Sequence, residues 1–304
     1  MLNKFIIVNL LLTTMILASA PAKPGVIPSD QVIQQTAIMS ESYTQGGLAQ
    51  KMQRIKAANI RNAENGSREL REDVYMSFPV LMGSYSDYDD LDTVATLLQR
   101  ELFDGDWPSI TMSEHYAQMS YGQFHVSGNV HGWYQMANNS EYYEGSQSEP
   151  YDNGLNVGDF IQETLQQADL EVDFRQYDSD GPDGVPNSGD DDGYVDVVMF
   201  VHSGRGGEGG GPYVWSHRWV YEGWWGNAFQ TDDMGANGSP IRISDYTIQP
   251  ALSVSGNGMI EIGVFSHEFG HALGLPDLYD TDYSSNGVGS WCLMASGSWS
   301  SPTS

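Results

Sequence analysis

The fold of this 304-residue chain is decided by residues 267–277, HEFGHALGLPD. His267 and His271 are four residues apart, so on a helix both imidazoles project from one face and can reach a single Zn²⁺ at about 2.0–2.1 Å. Glu268 lies one step round the helix, where it can stay off the metal and accept a proton from a zinc-activated water. The spacing therefore predicts a helix, over about residues 259–273, that carries a zinc site and a general base.

The residues after the second histidine predict the helix end and the third ligand. Gly274 suits the left-handed turn that ends a helix, and Pro276 prevents its continuation. The chain must then turn back, which makes Asp277 the first side chain able to complete the site. An ordinary amphipathic helix is the alternative, but it gives no reason for two histidines and a carboxylate on the buried side.

A second stretch, WCLMASG at residues 291–297, places Met294 after the zinc pattern. The order H-E-x-x-H-x-x-G-x-x-D followed by such a methionine resembles metzincin-type metallopeptidases in which aspartate replaces the third histidine. More narrowly, roughly residues 72–304 resemble the immune inhibitor A family of secreted bacterial metallopeptidases. The similarity is carried by residues 119–134, 215–219, 267–280 and 289–299.

The resemblance implies a role for each matching residue. His267, His271 and Asp277 become the zinc ligands, Glu268 the catalytic base and Met294 the apolar floor beneath the metal. The implied fold is an α+β, zincin or metzincin-like catalytic domain, in which helices back a twisted sheet. The implied activity is that of a secreted zinc-dependent endopeptidase with one catalytic zinc, acting on proteins or peptides.

The first 22 residues are interpreted as a signal peptide. Residues 1–4 are basic and residues 5–18 are apolar, a run too short for the roughly 20 residues that a membrane span requires. Residues 18–20 and 20–22 both have the A-x-A form of a cleavage signal, and we favour the second. An N-terminal membrane anchor is the alternative. We therefore expect a secreted, monomeric protein without stable membrane association.

Charge is divided unevenly along the chain. Eight of the 13 basic residues lie at or before Arg71, so residues 72–304 hold five arginines and 36 acidic residues, a formal charge of −31. A surface of that sign repels nucleic acid and anionic membranes, so we expect neither as a partner. The single cysteine, Cys292, excludes an intramolecular disulfide and is interpreted as a packing residue rather than a ligand.

Residues 23–71 differ from the rest in composition. They are rich in Gln, Ala and basic residues, and predict a helix around residues 48–63. A basic segment ahead of an acidic domain could fold against it and cover the active site until it is cut away, so we interpret it as a propeptide. A disordered linker is the alternative. The segment has no cysteine, so a thiolate from it cannot block the zinc.

The remaining patterns alternate between helix and strand without regular βαβ repeats, which favours one α+β domain over residues 72–304. Strands are predicted at residues 74–82, 124–126 and 194–201, and helices at residues 91–102, 113–119 and 157–165.

An acidic stretch predicts a calcium site. Carboxylates alternate with glycines in residues 178–196, as a shell of six to eight oxygens requires. Asp178, Asp180, Asp183 and Asp196 are the candidate ligands. The pattern departs from an EF-hand because no glutamate stands at the twelfth position. A solvated acidic loop is the alternative.

Two further histidines and a glycine-rich stretch could face a cleft. His202 or His217 could polarise a scissile carbonyl, although a structural role is the simpler interpretation. Residues 204–211 are glycine-rich but lack the Lys-Ser/Thr of a phosphate loop. They instead suit a strand edge that approaches a substrate backbone.

A rival interpretation is a non-catalytic, calcium-dependent secreted binding or adhesion module with a vestigial zinc site. Glu268 discriminates between the two, because zinc binding alone does not need a carboxylate there. Only ten residues follow Met294, without apolar periodicity, so we expect the catalytic domain of residues 72–304 to be incomplete at its C-terminus.

Overall fold

The computed structural model describes residues 20–26, 28, 47–64, 73–88, 92–145, 156–280 and 284–300. Its strands are β1 (Val74–Ser84), β2 (Phe124–Gln135), β3 (Val198–Arg205), β4 (His217–Val220), β5 (Phe229–Met234), β6 (Pro240–Ile243) and β7 (Asp245–Leu252). Its α-helices are α1 (Gly47–Glu64), α2 (Asp92–Gln99), α3 (Met112–Met119), α4 (Ser140–Glu144), α5 (Val157–Ala168), α6 (Tyr221–Trp225) and α7 (Ile262–Ala272). A π-helical turn, Arg100–Asp104, continues α2, and 3₁₀ turns lie at Phe174–Tyr177, Gly207–Gly209, Gly289–Trp291 and Ser296–Trp299.

Five of these strands form one sheet, in the order β2-β1-β3-β7-β4. β1 pairs in parallel with β2 and β3, and β3 pairs in parallel with β7. β4 pairs antiparallel with β7 and is an edge strand among the described residues. β5 and β6 form a separate antiparallel pair. The result is a mixed α and β fold, as the sequence predicts, built on a mostly parallel sheet.

β1 is buried on both faces, because helices cover both sides of the sheet. Every residue from 78 to 84 is buried, which is the pattern of a central parallel strand. Val80 and Met82 contribute to the core that contains α7, whereas Leu81 contributes to the opposite core, which contains α5. The sequence prediction of a buried strand here is confirmed.

α7 is buried along its whole length. The Phe269 ring packs against Phe78, Tyr116 and Phe124, with ring centroids 4.9, 5.1 and 6.3 Å away. The Tyr116 hydroxyl donates a 2.6 Å hydrogen bond to the main-chain oxygen of Ser266, which ties α3 to α7. A helix enclosed by protein on every side must be apolar apart from functional groups, and this sequence is.

α7 ends where the sequence predicts. Gly274 adopts φ +88°, and its N–H donates to His271 O at 2.9 Å, while the Leu275 N–H donates to Gly270 O at 3.0 Å. These bonds satisfy the last carbonyls of the helix as the chain turns back. A Cβ at Gly274 would lie 3.3 Å from Ala49 Cβ, so α1 packs against this turn.

Two predicted starts were wrong, and the strand predicted at residues 124–126 extends to Gln135 as β2. α7 begins three residues later than predicted, because Met259 is held in a β-bridge with Leu252. β3 begins four residues later than the predicted strand, because Tyr194 is held in a bridge with Arg242 of β6. In both cases a partner distant in sequence fixes the start of the element, and local periodicity does not report that partner.

The N-terminal predictions fall partly outside the described residues. Residues 1–19 of the predicted signal peptide lie outside them, as do residues 27, 29–46 and 65–72 of the region around the predicted propeptide. Residues 20–26 and α1 are described, and the predicted helix at residues 48–63 is confirmed by α1. In the described part of the chain, no helix has both the length and the apolar composition needed to cross a membrane.

Replacing Phe269 by alanine should lower the free energy of unfolding by about 3–5 kcal/mol, because the lost ring leaves a cavity among three aromatic side chains. Leu170→Ala is the control: its side chain is 81% exposed, and we expect a change within about 0.5 kcal/mol. Urea unfolding followed by circular dichroism measures both. Equal losses in the two variants would contradict the central position of Phe269.

Candidate metal centre and active site

Three potential metal ligands converge at α7 and the turn that follows it. His267 Nε2 and His271 Nε2 lie 3.1 Å apart, and Asp277 Oδ1 lies 3.1 Å from the first and 3.2 Å from the second. All three residues are buried. One helix therefore supplies two candidate ligands and the chain reversal supplies the third, in the positions that the spacing predicts.

Main-chain carbonyls fix the tautomer of both histidines. His267 Nδ1 lies 2.8 Å from Leu293 O, and His271 Nδ1 lies 2.8 Å from Leu275 O. A carbonyl can only accept, so each Nδ1 carries the hydrogen and each neutral ring turns the lone pair of Nε2 inward. Two lone pairs and the Asp277 carboxylate then face one point, a donor set of nitrogen and oxygen that fits Zn²⁺.

Met294 packs beneath α7. It is buried, and a Cβ added at Gly270 would lie 2.5 Å from its sulfur. Glycine at this position lets the thioether approach the helix between the two histidines. The Leu278 N–H donates to Met294 O at 2.7 Å, so the chain reversal that carries Asp277 and the turn that carries Met294 are joined.

Glu268 is buried on α7 beside this centre. Burial raises the pKa of its carboxyl well above the ordinary value, and the charges of Asp277 and Glu208 raise it further, while the nearby Ala20 amide lowers it. A carboxyl with a raised pKa is a better proton acceptor than an ordinary one, which suits a general base beside a metal site.

The residues that build this centre lie within a match to a family model described as the immune inhibitor A peptidase M6 catalytic domain, which covers residues 85–304. This chain belongs to the immune inhibitor A peptidase family, M6. The family resemblance inferred from the sequence motifs is thereby confirmed.

Two curated relatives are similar to this M6 chain. Pre-pro-metalloprotease PrtV from Vibrio cholerae is 35% identical over 208 residues, which cover 62% of this chain and 21% of PrtV. Immune inhibitor A from Bacillus thuringiensis subsp. alesti is 32% identical over 206 residues, which cover 62% of this chain and 28% of that protein. The aligned region thus spans well under a third of either relative.

A second group of carboxylates lies at the acidic stretch. Asp178, Asp180 and Asp196 each bring one oxygen within 4.8 Å of the others, and all three are buried. Asp178 Oδ1 is buried without a hydrogen-bond partner. Burial raises the pKa of Asp178 to about 8, with neighbouring carboxylates adding to the effect, and burial raises that of Asp196 to about 7. Such a group favours a cation between its oxygens.

Asp183, the fourth predicted calcium ligand, is not brought into this group. Its side chain is exposed, and its Oδ1 accepts hydrogen bonds from the Val185 N–H at 2.8 Å and the Ser188 hydroxyl at 3.3 Å. The reason is a turn closed by the Gly184 N–H and Gly181 O at 3.3 Å, which carries Asp183 toward solvent. The spacing of the aspartates along the sequence gives no indication of this turn.

His202 and His217 lie on the side of the sheet opposite α7. His202 contacts the rings of Tyr85 and Phe160, and His217 Nε2 lies 3.1 Å from the Tyr246 hydroxyl. These partners belong to the core opposite α7. Burial lowers the pKa of His202 to about 3 and that of His217 to about 4. These contacts agree with the structural role that the sequence favoured for both histidines.

Cys292 is half-buried and is not among the residues grouped around the zinc centre. Its carbonyl oxygen accepts the N–H groups of Ala295 and Gly297, both at 3.1 Å, and so shapes the turn around Met294. Its contribution to the site comes from the main chain.

Two features beside the centre were missed in the sequence. Residues 20–23 lie across it, where the Ala20 N–H donates to Ser216 O at 3.2 Å and the Trp215 indole donates to Ala20 O at 2.9 Å. Glu208 is buried nearby. For Glu208 the sequence offers one indication, an acidic residue enclosed by glycines in residues 204–211. For residues 20–23 the sequence does not indicate that they contact Ser216.

Replacing Asp277 by alanine should lower zinc affinity by more than about 100-fold, because even the loss of a group that only orients a ligand costs roughly 10–100-fold. Asp280→Ala is the matched control, since the carboxyl three residues along lies outside the group of converging oxygens and nitrogens. Zinc content after dialysis against a competing chelator measures both variants. Loss of zinc from the control alone would move the third ligand to Asp280.

Proposed function

We propose that this chain is the catalytic part of a secreted, monomeric zinc-dependent endopeptidase of the metzincin type. The observation that carries the proposal is the meeting of two histidine lone pairs and the Asp277 carboxylate beside the buried Glu268. The names of the relatives, a metalloprotease and immune inhibitor A, agree with it. The strongly acidic composition argues against nucleic acid and anionic membranes as partners.

The mechanism assigns each residue one task. His267, His271 and Asp277 would hold the zinc, which when bound supplies a Lewis acid for the scissile carbonyl and lowers the pKa of water. Glu268 accepts the proton of the attacking water and delivers it to the leaving amide nitrogen. Met294 forms an apolar floor that holds the histidine-bearing turns of α7 in place. The burial of His267, His271, Asp277 and Glu268 excludes bulk water from the site and strengthens each electrostatic interaction there.

Substrates would bind as extended peptides along the rim formed by the residues just before β4. Ser216 offers its carbonyl oxygen there, and Trp215 offers its indole N–H, to the main chain of residues 20–22. Main-chain contacts of this kind accept many side chains, which suits hydrolysis of proteins of varied sequence.

We further propose that the N-terminal segment blocks the active site before maturation. Ala20 and Ala22 are buried, and the amide of Ala20 is close enough to Glu268 to lower the pKa of its carboxyl. In the full precursor, residues 20–22 therefore lie where a substrate must lie. Cleavage of the signal peptide after Ala22 removes these contacts and leaves those of Lys23 and α1 with the domain. The prefix in the name of the pre-pro-metalloprotease relative supports the interpretation of residues 1–22 and 23–71 as parts that are removed.

α1 supports this proposal by its charge. The Lys51 ammonium donates to Ser179 O, and Arg54 donates to Asp180 O at 2.8 Å and to its carboxylate at 3.1 Å. The basic helix α1 thus contacts the acidic stretch, and its Ala49 also packs against the turn after α7. A propeptide held by opposite charge can be released once the connection to the domain is cut.

Replacing Glu268 by glutamine should lower peptide hydrolysis by about 10²–10⁴-fold or more, because the amide cannot accept the proton, and should leave the zinc content unchanged. Glu141→Gln, an exposed carboxyl on α4, is the control and should keep full activity. The assay is cleavage of an unfolded protein, before and after removal of the residues preceding 72. We expect cleavage to rise on removal.

Full activity in the Glu268 variant would refute its assignment as the base. A zinc-loaded parent protein that cleaves nothing after removal of the N-terminal segment would instead support the non-catalytic, calcium-dependent binding module.

We also propose a structural calcium ion at Asp178, Asp180 and Asp196. Three buried aspartates each bring one oxygen within 4.8 Å of the others, and Asp178 Oδ1 is buried without a hydrogen bond. When ionised, these carboxylates repel each other unless a cation lies between them. Calcium is the cation that suits an all-oxygen shell on a flexible loop.

Calcium at 100 times its dissociation constant should raise the free energy of unfolding by roughly 2.7 kcal/mol, at constant zinc. Asp178→Asn should abolish most of this gain, whereas Asp183→Asn should keep it, because Asp183 lies outside the group. Thermal unfolding with and without calcium measures the effect. The same melting temperature in both conditions would leave the stretch as a solvated acidic loop.

A further inference from the structure

Glu208 is a buried carboxylate that the mechanism above does not use. It lies in the 3₁₀ turn Gly207–Gly209, and its side chain is 1% exposed. Burial raises the pKa of Glu208. A buried carboxylate in a surface loop is costly, because the group loses its hydration. The hydrogen-bond partners of Glu208 therefore indicate which neighbouring residues the carboxylate keeps in position.

Both carboxylate oxygens of Glu208 bind one residue, Ser216. Oε2 accepts from the Ser216 N–H at 3.1 Å, and Oε1 accepts from the Ser216 hydroxyl at 2.9 Å. The Gly207 N–H also donates to Val214 O at 2.8 Å. These bonds close the loop onto the residues just before β4, so that Ser216 has one fixed position at the edge of the sheet.

Gly206 is required by this arrangement. A Cβ at Gly206 would lie 2.0 Å from Glu208 Oε1 and 2.4 Å from its carboxyl carbon. The carboxylate therefore folds back over the main chain of Gly206, and any larger residue there would displace it. The φ of Gly206 is −82°, which alanine adopts freely, so contact with the carboxylate is the reason for glycine at this position.

The residues that Glu208 organises bind the main chain of the segment across the site. Ser216 O accepts the Ala20 N–H at 3.2 Å, and Glu208 O accepts the Lys23 N–H at 2.8 Å. Trp215, next to Ser216, donates its indole N–H to Ala20 O at 2.9 Å. The Trp299 indole donates to Pro21 O at 2.8 Å. Each of these bonds is made by the segment's main chain.

We propose that Glu208 is a positioning residue for peptide hydrolysis: by holding Ser216, it fixes the rim that aligns the main chain of an extended substrate with Glu268. This inference rests on the proposed peptidase function. The substrate class it selects is an extended peptide that offers N–H groups at two positions three residues apart, those occupied here by Ala20 and Lys23. Of the two intervening positions, the one occupied by Pro21 needs no N–H, because proline has none.

The test uses the zinc-loaded protein, in the form that cleaves peptides, with a series of peptides N-methylated at one residue at a time. In the parent protein, methylation at two positions three residues apart should raise KM about tenfold each, the loss expected for one hydrogen bond. Glu208→Ala should raise KM for unmethylated peptides about tenfold with kcat changed less than about threefold. In the Glu208→Ala variant, N-methylation of the substrate residue that donates to Ser216 O should then raise KM little further.

Glu208→Gln should restore KM to within about threefold of the parent, because its amide oxygen can accept the Ser216 N–H and its NH₂ group can donate to the hydroxyl. Glu101→Gln is the control for loss of a buried carboxyl elsewhere. Glu101 is equally buried, on the π-helical turn, and its replacement should leave the pattern of methylation effects unchanged.

A double-mutant cycle guards against misfolding of the alanine variant. Gly206→Ala should raise KM about as much as Glu208→Ala, because the new methyl group displaces the carboxylate. In the Glu208→Ala background the same change should cost less than about threefold, because the space is free. Zinc content and unfolding temperature are measured for every variant.

Additive effects of the two substitutions, or an unchanged KM in Glu208→Ala, would overturn the inference. A loss confined to kcat, with the methylation pattern intact, would overturn it too and leave Glu208 as part of the fold. A parent protein that cleaves no peptide would refute the proposed function, and this inference with it, whereas an active parent with an unaffected Glu208→Ala would refute only the inference.

Discussion

Two main-chain carbonyls, those of Leu275 and Leu293, hold the histidines in the one tautomer that turns both lone pairs inward, and the candidate centre depends on them. Leu275 belongs to the chain reversal after Gly274, and Leu293 precedes Met294. The metal-binding capacity of α7 is therefore set by the two segments that follow it. Hydrogen bonds of this kind commonly orient metal ligands and raise their basicity.

Burial gives the two acceptor clusters their chemistry. Around α7 it raises the pKa of Glu268, and around the acidic stretch it raises that of Asp178 to about 8. In both places oxygen or nitrogen acceptors face each other in a medium that screens charge poorly, so that each place favours a cation. The M6 chain thus places both groups of converging acceptors inside the domain, where their geometry is fixed by packing.

Charge and shape act together where the N-terminal segment meets the domain. α1 carries Lys51 and Arg54 to the acidic stretch, while residues 20–23 lie against the rim at Ser216. The uneven division of charge in the sequence pointed to contact between a basic segment and an acidic domain. It carried no information on which residues of the segment would lie over Glu268, because main-chain hydrogen bonds are independent of side-chain identity.

The sequence alone predicted the helix α7, its end at Gly274 and the convergence of His267, His271 and Asp277, because helical periodicity and a glycine turn are local properties. It also determined the buried strand β1 and the helix α1. Tertiary structure decided the rest. Pairing with distant strands set where α7 and β3 begin, a turn excluded Asp183 from the carboxylate group, and sheet geometry turned His202 away from the cleft. The starts of α7 and β3 and the position of His202 depend on partners far along the chain, which a pattern of neighbouring residues does not show. The turn that excludes Asp183 is local, but the spacing of the carboxylates gives no indication of it.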